Sequence, residues 1–449
     1  MRQIFDPQAW KSLHSLAGDF EQNRSRWNLQ ALLLVGLAMA LECARTMGER
    51  FETATELDRA VRPKQRRCGA TLAGFLLALA CLPLRVLGGV RIVLQNALLR
   101  ADVHPARVGR WNAYGLDGTK QNLPRTDANE KGFGAATKEP ALPQGLTVAA
   151  VALGERVLCD WECGGAYASE RDLALKIIRR LPVDSLAVED AGFVGYEHIR
   201  EVLASGRHLL MRVGANVRLW TQTIGHAQEQ GGEVWLWPDE RRDEAPLRLR
   251  LIKIVTRRKK KLKTKKRKGQ GRRRAYKIVQ STLWLLTDVL DEKALTQDEA
   301  EAIYGRRWGG NEIRFRDWKC TLNAATLLSH TPEQAQRERE LSLCAVMLLH
   351  VLVTRARKGR RKPFRIVSAA NAARIWRKAL RRSGQGKSTR GFGTAMSEAV
   401  VDDYERQRPK VKRRWPKRKD HNMAGQPKFR KLTNGIKAMG LNRLEEKCA

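Results

Sequence analysis

A tract of extreme positive charge sets the first limit on how this chain can fold. The tract, Arg257–Arg274, reads RRKKKLKTKKRKGQGRRR, and 13 of its 18 residues are basic while none is acidic. Such a segment cannot pack against itself, because its like charges repel and it has almost no apolar surface to bury. Strand-like segments flank it, PLRLRLIKIV before and KIVQSTLWLLT after. We therefore expect a mobile loop that binds phosphates, and even a purely solvated or localisation tract would indicate a nearby polyanion.

The overall composition agrees with a folded protein that binds a polyanion. The chain has 449 residues, 43% of them hydrophobic, and 12 Trp, which suffices for two or three domains with real cores. Its 85 Lys and Arg against 47 Asp and Glu give a net charge of +38. This charge favours nucleic acid as the partner. An acidic membrane surface is the second candidate, because residues 68–84 carry no charge, but Gly74 and Pro83 interrupt that run. It is also shorter than the roughly 20 residues of a spanning helix, so we expect a buried helix and no membrane partner.

Cysteine usage and the N-terminus indicate the compartment. The N-terminal segment MRQIFDPQAWKSLHSLAGDF lacks the apolar core of a signal peptide, so we expect a cytosolic location. The eight cysteines are scattered without framework spacing, which suits free thiols in a reducing compartment. Cys159 and Cys163 are the only close pair, and with no second pair and no nearby His they do not predict a zinc site.

The segment Tyr304–Lys319, YGRRWGGNEIRFRDWK, places one acid among bases and aromatic residues. In an α-helix, Glu312, Arg316 and Lys319 fall at i, i+4 and i+7 and share one face. An apolar stripe adjoins them, formed by Phe315, Trp318 and Leu322. A carboxylate between cations stays ionised, so it can bind a divalent metal while its neighbours hold phosphates. The alternative is an amphipathic helix whose Glu only pairs with Arg and Lys.

Asp117 is the first of two candidate acids in strand-like surroundings. We expect a short strand at residues 112–116, with Asp117 at its end and Gly118 and Thr119 next. An acid that ends a strand beside Gly is well placed for metal, because a substrate can approach the missing side chain closely. An ordinary Asp-Gly turn is the alternative.

Asp190 is the second candidate, and it ends a later predicted strand in DSLAVEDAGFVGYEHIREVL. Ala191, Gly192 and Phe193 follow it. The alternative is a helix N-cap, for which Asp is a good residue. Two aspartates that end strands and precede Gly are expected on neighbouring strands of one sheet, since ligand sites form at strand ends.

The remaining chain predicts four parts. Residues 1–105 indicate a helical N-terminal domain with weak DNA-binding character, in which residues 28–61 form one helical segment. Residues 106–218 together with 300–330 indicate a mixed α/β core, and 219–299 a strand-rich insertion. Residues 331–449 indicate a helical and basic C-terminal region.

Two further basic segments lie near the ends of these parts. PKQRR at residues 63–67 separates two of the N-terminal helices. The tail from Arg406 onward is basic and contains Trp415 and Phe429, so we expect a nucleic-acid arm that orders on binding.

The assembled motifs resemble the DDE transposases of bacterial insertion sequences, specifically the insertion-sequence-four type. The resemblance covers about residues 111–325. The motifs that carry it are Asp117-Gly118-Thr119, Leu123-Pro124, Asn129, Phe133-Gly134, Asp190-x-Gly192-Phe193, and a Tyr-x2-Arg-x3-Glu-x6-Lys signature filled by Tyr304, Arg307, Glu312 and Lys319. One spacing differs: four residues, including Gly309 and Gly310, separate Arg307 from Glu312. We expect the extra residue in an irregular turn before the helix.

This resemblance implies a ribonuclease H-like catalytic core with a β-strand insertion. It implies that Asp117, Asp190 and Glu312 hold two Mg²⁺ ions, or Mn²⁺ as a substitute, for cleavage at transposon ends and transfer of the 3′-hydroxyl into target DNA. The family also suggests cut-and-paste transposition through a hairpin, by a homodimer on paired ends of double-stranded DNA in the bacterial nucleoid. The implied DNA-binding residues are Tyr304, Arg307, Arg316, Lys319 and, stacking on a flipped base, Trp284.

Two other functions stay open from the sequence. One is a nuclease or recombinase of the same fold that hydrolyses DNA without joining it. The other is a non-catalytic DNA-binding protein, although such a protein would be expected to have lost a carboxylate.

Overall fold

The computed structural model divides the chain into two compact units. The first is Met1–Ile177 with Arg306–Arg408, and the second is Ile178–Gly305 with Pro409–Ala449. The structure describes residues 3–21, 26–61, 68–101, 105–134, 142–238, 243–261, 276–358, 366–401 and 425–433. The four-part division predicted from the sequence cuts the chain differently and stays a prediction.

Helices form most of the first unit. They are α1 (Pro7–Ala17), followed by a 3-10 turn (Gly18–Glu21), α2 (Leu29–Leu41), α3 (Met47–Val61), α4 (Leu72–Cys81), α5 (Leu84–Leu99), α6 (Asp127–Phe133), α7 (Glu170–Ile178), the end of α10 (Gln297–Arg316), α11 (Pro332–Arg357), α12 (Ala369–Gly384) and α13 (Phe392–Ser397). Both α2 and α11 are buried along most of their length, and one apolar core joins them. Helix α2, from the N-terminal region, therefore forms part of the central apolar core of the first unit.

The single helical segment predicted for residues 28–61 is wrong, because the structure has two helices there. Thr46 and Glu49 form a capping box: the Thr46 hydroxyl accepts from the Glu49 amide at 3.2 Å, and the Glu49 carboxylate accepts from the Thr46 amide at 3.2 Å. This reciprocal pair satisfies two free amides and starts a new helix. The basic segment at residues 63–67 lies outside the described residues.

A four-stranded antiparallel sheet completes the first unit, in the order β1 (Arg107–Val108), β2 (Trp111–Asn122), β3 (Gln144–Ala152) and β4 (Val157–Gly165). The sequence runs LTVAAVAL from Leu146 and RVLCDWEC from Arg156 form most of β3 and β4. Residues 145–152 of β3 are all buried, as expected for an apolar run covered on both faces.

The short strand predicted to end at Asp117 is wrong, and so is the alternative of a turn. Asp117 lies in the middle of β2, opposite Ala149 of β3, and the strand continues to Asn122. Gly118 serves packing instead, because a Cβ there would lie 1.7 Å from a carboxylate oxygen of Glu170 on α7.

The irregular turn predicted before Glu312 is also wrong. Helix α10 runs without a break through Gly309 and Gly310 to Arg316, and a π-helical turn follows at Asp317–Thr321. A Cβ at Gly310 would lie 3.2 Å from the Leu153 side chain, so this glycine lets α10 lie close to the sheet. The irregularity falls after Glu312 and not before it.

The second unit is built on a seven-stranded sheet. Its strands are β5 (Leu186–Glu189), β6 (His208–Val213), β7 (Arg218–Thr221), β8 (Gly231–Leu236), β9 (Leu247–Lys261), β10 (Tyr276–Thr287) and β11 (Lys428–Lys431). The order is β11-β7-β8-β9-β10-β6-β5, with β5 parallel to β6 and β11 parallel to β7. Helices α8 (Tyr196–Ala204) and α9 (Ile224–Glu229) and the start of α10 accompany the sheet.

The structure corrects one end of the basic tract. Residues 257–261 belong to β9 and pair with residues 276–280 of β10, so the hairpin extends into the predicted loop. Backbone pairing with β10 fixes this part as strand whatever its charge. The other residues of the tract, 262–274, lie outside the described part of the chain, as does Trp415 of the tail.

The apolar run near Gly74 forms α4, which ends at Cys81 and buries Phe75 and Leu79. No single helix among the described residues is long and apolar enough to cross a membrane; α4 and α5 meet the criteria only as a pair, with a bend of 88° between them.

Candidate active site

Three residues of β2 contact helix α10 or the π-helical turn that follows it: Gly115, Asp117 and Thr119. They share a face because side chains alternate along a strand. Asn311 of α10 is fully buried, and its Nδ2 donates to the Gly115 carbonyl at 2.9 Å. A Cβ at residue 115 would lie 2.4 Å from Asn311 Oδ1, so the glycine sets how closely α10 approaches β2.

Asp117 is held by a cation from the same helix. The Arg307 guanidinium donates from Nη1 to Asp117 Oδ2 at 3.3 Å, and the Gly118 amide donates to Oδ1 at 3.0 Å. The Arg307 side chain is 8% exposed and that of Asp117 is 28% exposed. The ion pair therefore positions a carboxylate that solvent still reaches.

Glu312 follows the buried Asn311 and is exposed. Among the described residues, neither Glu312 nor Arg316 makes a salt bridge. The alternative of a Glu that only pairs with Arg and Lys stays a prediction, since Glu312 interacts electrostatically with Lys319. The predicted helical face ends at Arg316, since Lys319 lies in the π-helical turn.

Lys319 ties this turn to β2. Its ammonium donates to the Thr119 hydroxyl and, at 2.6 Å, to the Lys120 carbonyl. Burial lowers the pKa of Lys319, while the Glu312 carboxylate raises it. Lys319 thus stands as a positioned cation within electrostatic range of Glu312.

A buried network fixes the end of α10. Arg314 is 2% exposed; its Nη1 lies 2.7 Å from His350 Nε2 and 3.1 Å from Asp317 Oδ2, and donates to the Val367 carbonyl at 3.3 Å. Burial lowers the pKa of Arg314 and raises that of Asp317. The predicted apolar stripe, Phe315, Trp318 and Leu322, is confirmed as buried.

Sequence reasoning missed Trp308. Its side chain is 70% exposed, and it lies four residues before Glu312, so Trp308, Glu312 and Arg316 share one exposed face of α10. The sequence did contain a signal: a large aromatic residue lies one helical turn before the candidate acid and does not belong to the apolar stripe. Tyr304 lies one further turn back and is half-buried.

Asp190 follows β5 directly, as predicted, and is half-buried. Its Oδ1 accepts from the Gly192 amide at 2.8 Å. The alternative of a helix cap is wrong, because α8 starts at Tyr196 and its N-cap is Gly195.

Behind this turn lies a fully buried pair. His198 Nε2 of α8 lies 2.9 and 3.0 Å from the two carboxylate oxygens of Glu189, the last residue of β5. The Phe193 ring packs 5.9 Å from the His198 ring. Since Glu189 and Asp190 are consecutive, burial of the first directs the second to the other side of the chain.

Trp284 lies in β10 and is 3% exposed. Phe429 of β11 covers it edge-on at 6.2 Å, and Lys253 Nζ lies 5.4 Å from the ring centre. In this arrangement the ring is enclosed, so a stacking role for Trp284 stays a prediction that requires Phe429 to move.

The donor chemistry of Asp117, Asp190 and Glu312 suits Mg²⁺, because carboxylate oxygens are the hard ligands it prefers and none of the three is fully buried. Within the described part of the chain, no three potential ligands among His, Cys, Asp and Glu converge on one point. Burial raises the pKa of the Cys163 thiol to about 12, so this thiol stays protonated at neutral pH.

Comparison with known proteins identifies the class. A family model described as "Transposase DDE domain" matches residues 115–348, more than half of the chain, and the matched span contains all three candidate acids. This chain therefore belongs to the transposase DDE domain family, whose members generally use divalent metal ions. No curated protein matches the chain significantly.

A solved piggyBac transposase synaptic complex with hairpin DNA is similar over 90% of this chain and 85% of that one, at 11% identity and a TM-score of 0.42. A likeness this weak defines neither the fold nor the activity of this chain.

Proposed function

We propose that this chain is a bacterial insertion-sequence transposase of the insertion-sequence-four type. It would cleave DNA at the ends of its element and transfer the resulting 3′-hydroxyls into target DNA. The observation that carries the proposal is the exposed Glu312 on a helix fixed to the Asp117 strand by Asn311, Arg307 and Lys319. These residues lie in the matched transposase span.

The strands of each unit support a ribonuclease H-like core with an inserted subdomain. The first unit contributes the antiparallel strands β2, β3 and β4, and the second contributes the parallel pair β5 and β6 with α8 between them. Strands β7 to β10 follow before α10. We propose that this strand block, about residues 219–299, is the insertion.

We propose that Asp117, Asp190 and Glu312 act together to hold two Mg²⁺ ions. When bound, Mg²⁺ would supply activation of the attacking hydroxyl and neutralisation of phosphate charge. Arg307 would keep Asp117 oriented, and Asn311 would fix the turn of α10 that presents Glu312.

The cations beside Glu312 would bind the DNA backbone. Lys319 and Arg316 are placed to hold phosphates, since ammonium and guanidinium groups form charge-assisted hydrogen bonds with phosphate oxygens. Trp308 is exposed and can stack on an unpaired base, a role that the enclosed Trp284 fills only after rearrangement. We propose that Tyr304 also binds a phosphate beside this unpaired base.

We further propose cut-and-paste transposition, with a hairpin on the excised end, by a homodimer bound to paired ends in the bacterial nucleoid. The net charge of +38 suits a large DNA contact.

The test is Mg²⁺-dependent cleavage and strand transfer on DNA that carries the element's own ends, comparing the wild type with Glu312→Gln and Asp190→Asn. We expect the wild type to cleave and join, and both variants to bind DNA without doing either. Cleavage without joining would indicate a nuclease, binding without cleavage a DNA-binding protein, and full activity of Glu312→Gln would overturn the assignment of the site.

A further inference from the structure

Helix α12 presents a row of cations to solvent. Arg374, Lys378, Arg381 and Arg382 are all exposed and fall at i, i+4, i+7 and i+8, so they share one face of the helix. We call this set the basic ridge. The ridge lies in the first unit, and none of the residues assigned above to the active site belongs to it.

The opposite face of α12 makes the ridge rigid. Ala369, Ala372, Ala373 and Trp376 are buried, and the Trp376 ring packs 6.3 Å from Phe392 of α13. This face lies against α3, α11 and the π-helical turn that carries Lys319. The cations therefore stand on a fixed platform within the same unit as Glu312.

Between α12 and α13 a turn adds more positive charge. Arg382 Nε donates to the Ser388 carbonyl at 3.1 Å, which folds the turn back on the helix. As a result Arg390 lines one cleft with Arg374, Lys378 and Arg382. The cleft faces the solvent beside the ridge.

The charge of this region is uncompensated. Residues 369–397 contain seven Lys and Arg and no Asp or Glu. Within the described part of the chain, none of the four ridge cations forms a salt bridge. Like charges at i and i+4 destabilise a helix, so the arrangement favours an anion bound from outside.

We propose that the basic ridge binds the phosphate backbone of duplex DNA without reading its sequence. From Arg374 to Arg382 the helix rises about 12 Å, which matches the rise of three to four base pairs. Contacts to phosphate carry no direct sequence information, so the ridge would hold target or flanking DNA as well as the element's ends. The inference rests on the proposed function only for the identity of the polyanion.

The test measures binding of the full chain to a terminal-repeat duplex and to a scrambled duplex of equal length, by fluorescence anisotropy between 50 and 200 mM salt. The variant is Arg374→Gln, Lys378→Gln, Arg381→Gln and Arg382→Gln together. We expect the slope of log affinity against log salt to fall by about 3 to 4, because each phosphate contact contributes about 0.9. Affinity should fall at least tenfold on both duplexes, with their ratio unchanged.

Two matched variants control for net charge and for folding. The first control replaces four cations with Gln at α7 and the residues directly after it: Arg171, Lys176, Arg179 and Arg180. It changes the total charge as much as the ridge variant does, but in a segment that also holds Glu170 and Asp172. This control should keep most of the wild-type slope. Replacement of the three ridge arginines by Lys should also keep the wild-type slope, because phosphate binding here requires the positive charge and not the planar guanidinium of Arg.

An unchanged slope in the Gln variant, or a loss equal to that of the α7 control, would overturn the proposal. So would a loss confined to the terminal-repeat duplex, which would indicate sequence reading. Binding of anionic vesicles or single-stranded RNA that depends on the ridge while duplex binding does not would also overturn it. These outcomes differ from failure of the proposed function, which is a wild type that binds DNA but neither cleaves nor joins it.

Discussion

Asp117 lies one residue before a glycine and Asp190 lies two residues before one, yet the structure holds the two carboxylates in different ways. Asp117 lies mid-strand, and a guanidinium from residue 307 fixes one of its oxygens. Asp190 lies in a turn just after β5, and the amide of Gly192, two residues later, fixes one of its oxygens. The first acid thus depends on a partner far along the chain, and the second on its own turn.

This difference separates two ways to position an acid. Long-range positioning ties Asp117 to the packing of α10, so changes in that helix should move the carboxylate. Local positioning leaves Asp190 dependent on its turn and on the buried pair of Glu189 and His198 beneath it. The predictions that follow test this contrast, and the largest effect comes first.

The first prediction compares Asp117→Asn with Asp190→Asn. Both should reduce strand transfer at least on the order of 10³-fold, because each removes a charged oxygen proposed to hold Mg²⁺. Only Asp117→Asn should also lower the free energy of unfolding, by about 1–3 kcal/mol, since it removes a charge beside a guanidinium that is 8% exposed. Urea titration measures the second effect. Equal stability losses in the two variants would remove the contrast.

The second prediction concerns one tryptophan in each unit. Trp308→Ala should leave the unfolding free energy within about 0.5 kcal/mol of wild type, because the side chain is 70% exposed. It should weaken binding to DNA with unpaired end bases by about 1–3 kcal/mol. Trp284→Ala should instead cost about 3–5 kcal/mol of stability, since it empties a buried site.

Urea unfolding and affinity for end duplexes with and without unpaired bases separate the two effects. A stable Trp284→Ala variant with weakened base-dependent binding would assign the stacking role to Trp284 after all.

These two regions also show what the sequence could and could not reveal. The position of Asp190 after a strand was predictable, because the apolar run before it and the glycine after it are local signals. The central position of Asp117 was not, because β2 continues past the Asp-Gly pair only through its pairing with β3. The start of α3 is set by a capping box that the sequence contained but that the apolar pattern obscured.

The candidate site divides in the same way. The apolar stripe of Phe315 and Trp318 followed from helical periodicity, and both side chains are buried. The contacts Arg307 to Asp117 and Lys319 to Thr119 join residues about 200 positions apart, so no local pattern encodes them. The extra residue before Glu312 was assigned to a turn because Gly favours turns; in the structure, close packing of Gly310 on the sheet explains the glycine.

The third prediction tests the long-range contact through two glycines. Gly115→Ala places a Cβ 2.4 Å from Asn311 Oδ1 and 2.9 Å from Leu153, so we expect a loss of about 1–3 kcal/mol of stability and reduced strand transfer. Gly305→Ala, where nothing lies within 4 Å, should stabilise helix α10 by about 0.5–1 kcal/mol. Chemical denaturation of both variants measures the difference. A neutral Gly115→Ala variant would show that α10 tolerates displacement from β2.

The last prediction uses pH to separate the two regions through His208, the first residue of β6 in the second unit. In the second unit, His208 Nδ1 lies 2.6 Å from Asp288 Oδ2, whose other oxygen accepts from the Leu209 amide at 2.8 Å. The hydrogen bond to Asp288 raises the pKa of His208, against the effect of burial. A raised folded-state pKa means that the protonated imidazole stabilises the fold.

That stabilisation is complete below the unfolded-state pKa of about 6.5 and is lost as pH rises through the raised folded-state value. The difference in unfolding midpoint between wild type and His208→Gln should therefore be largest near pH 5.5 and shrink toward pH 9. Asp288→Asn should abolish the same slope.

Arg307→Gln in the first unit should show no such slope over this range, because a guanidinium keeps its charge throughout. A slope of opposite sign for His208→Gln, or an equal slope for Arg307→Gln, would show that the titrating group lies elsewhere. Since solvent partly screens His208, this is the smallest of the expected effects. The His208 and Asp288 variants test the second unit without touching any residue assigned to the active site.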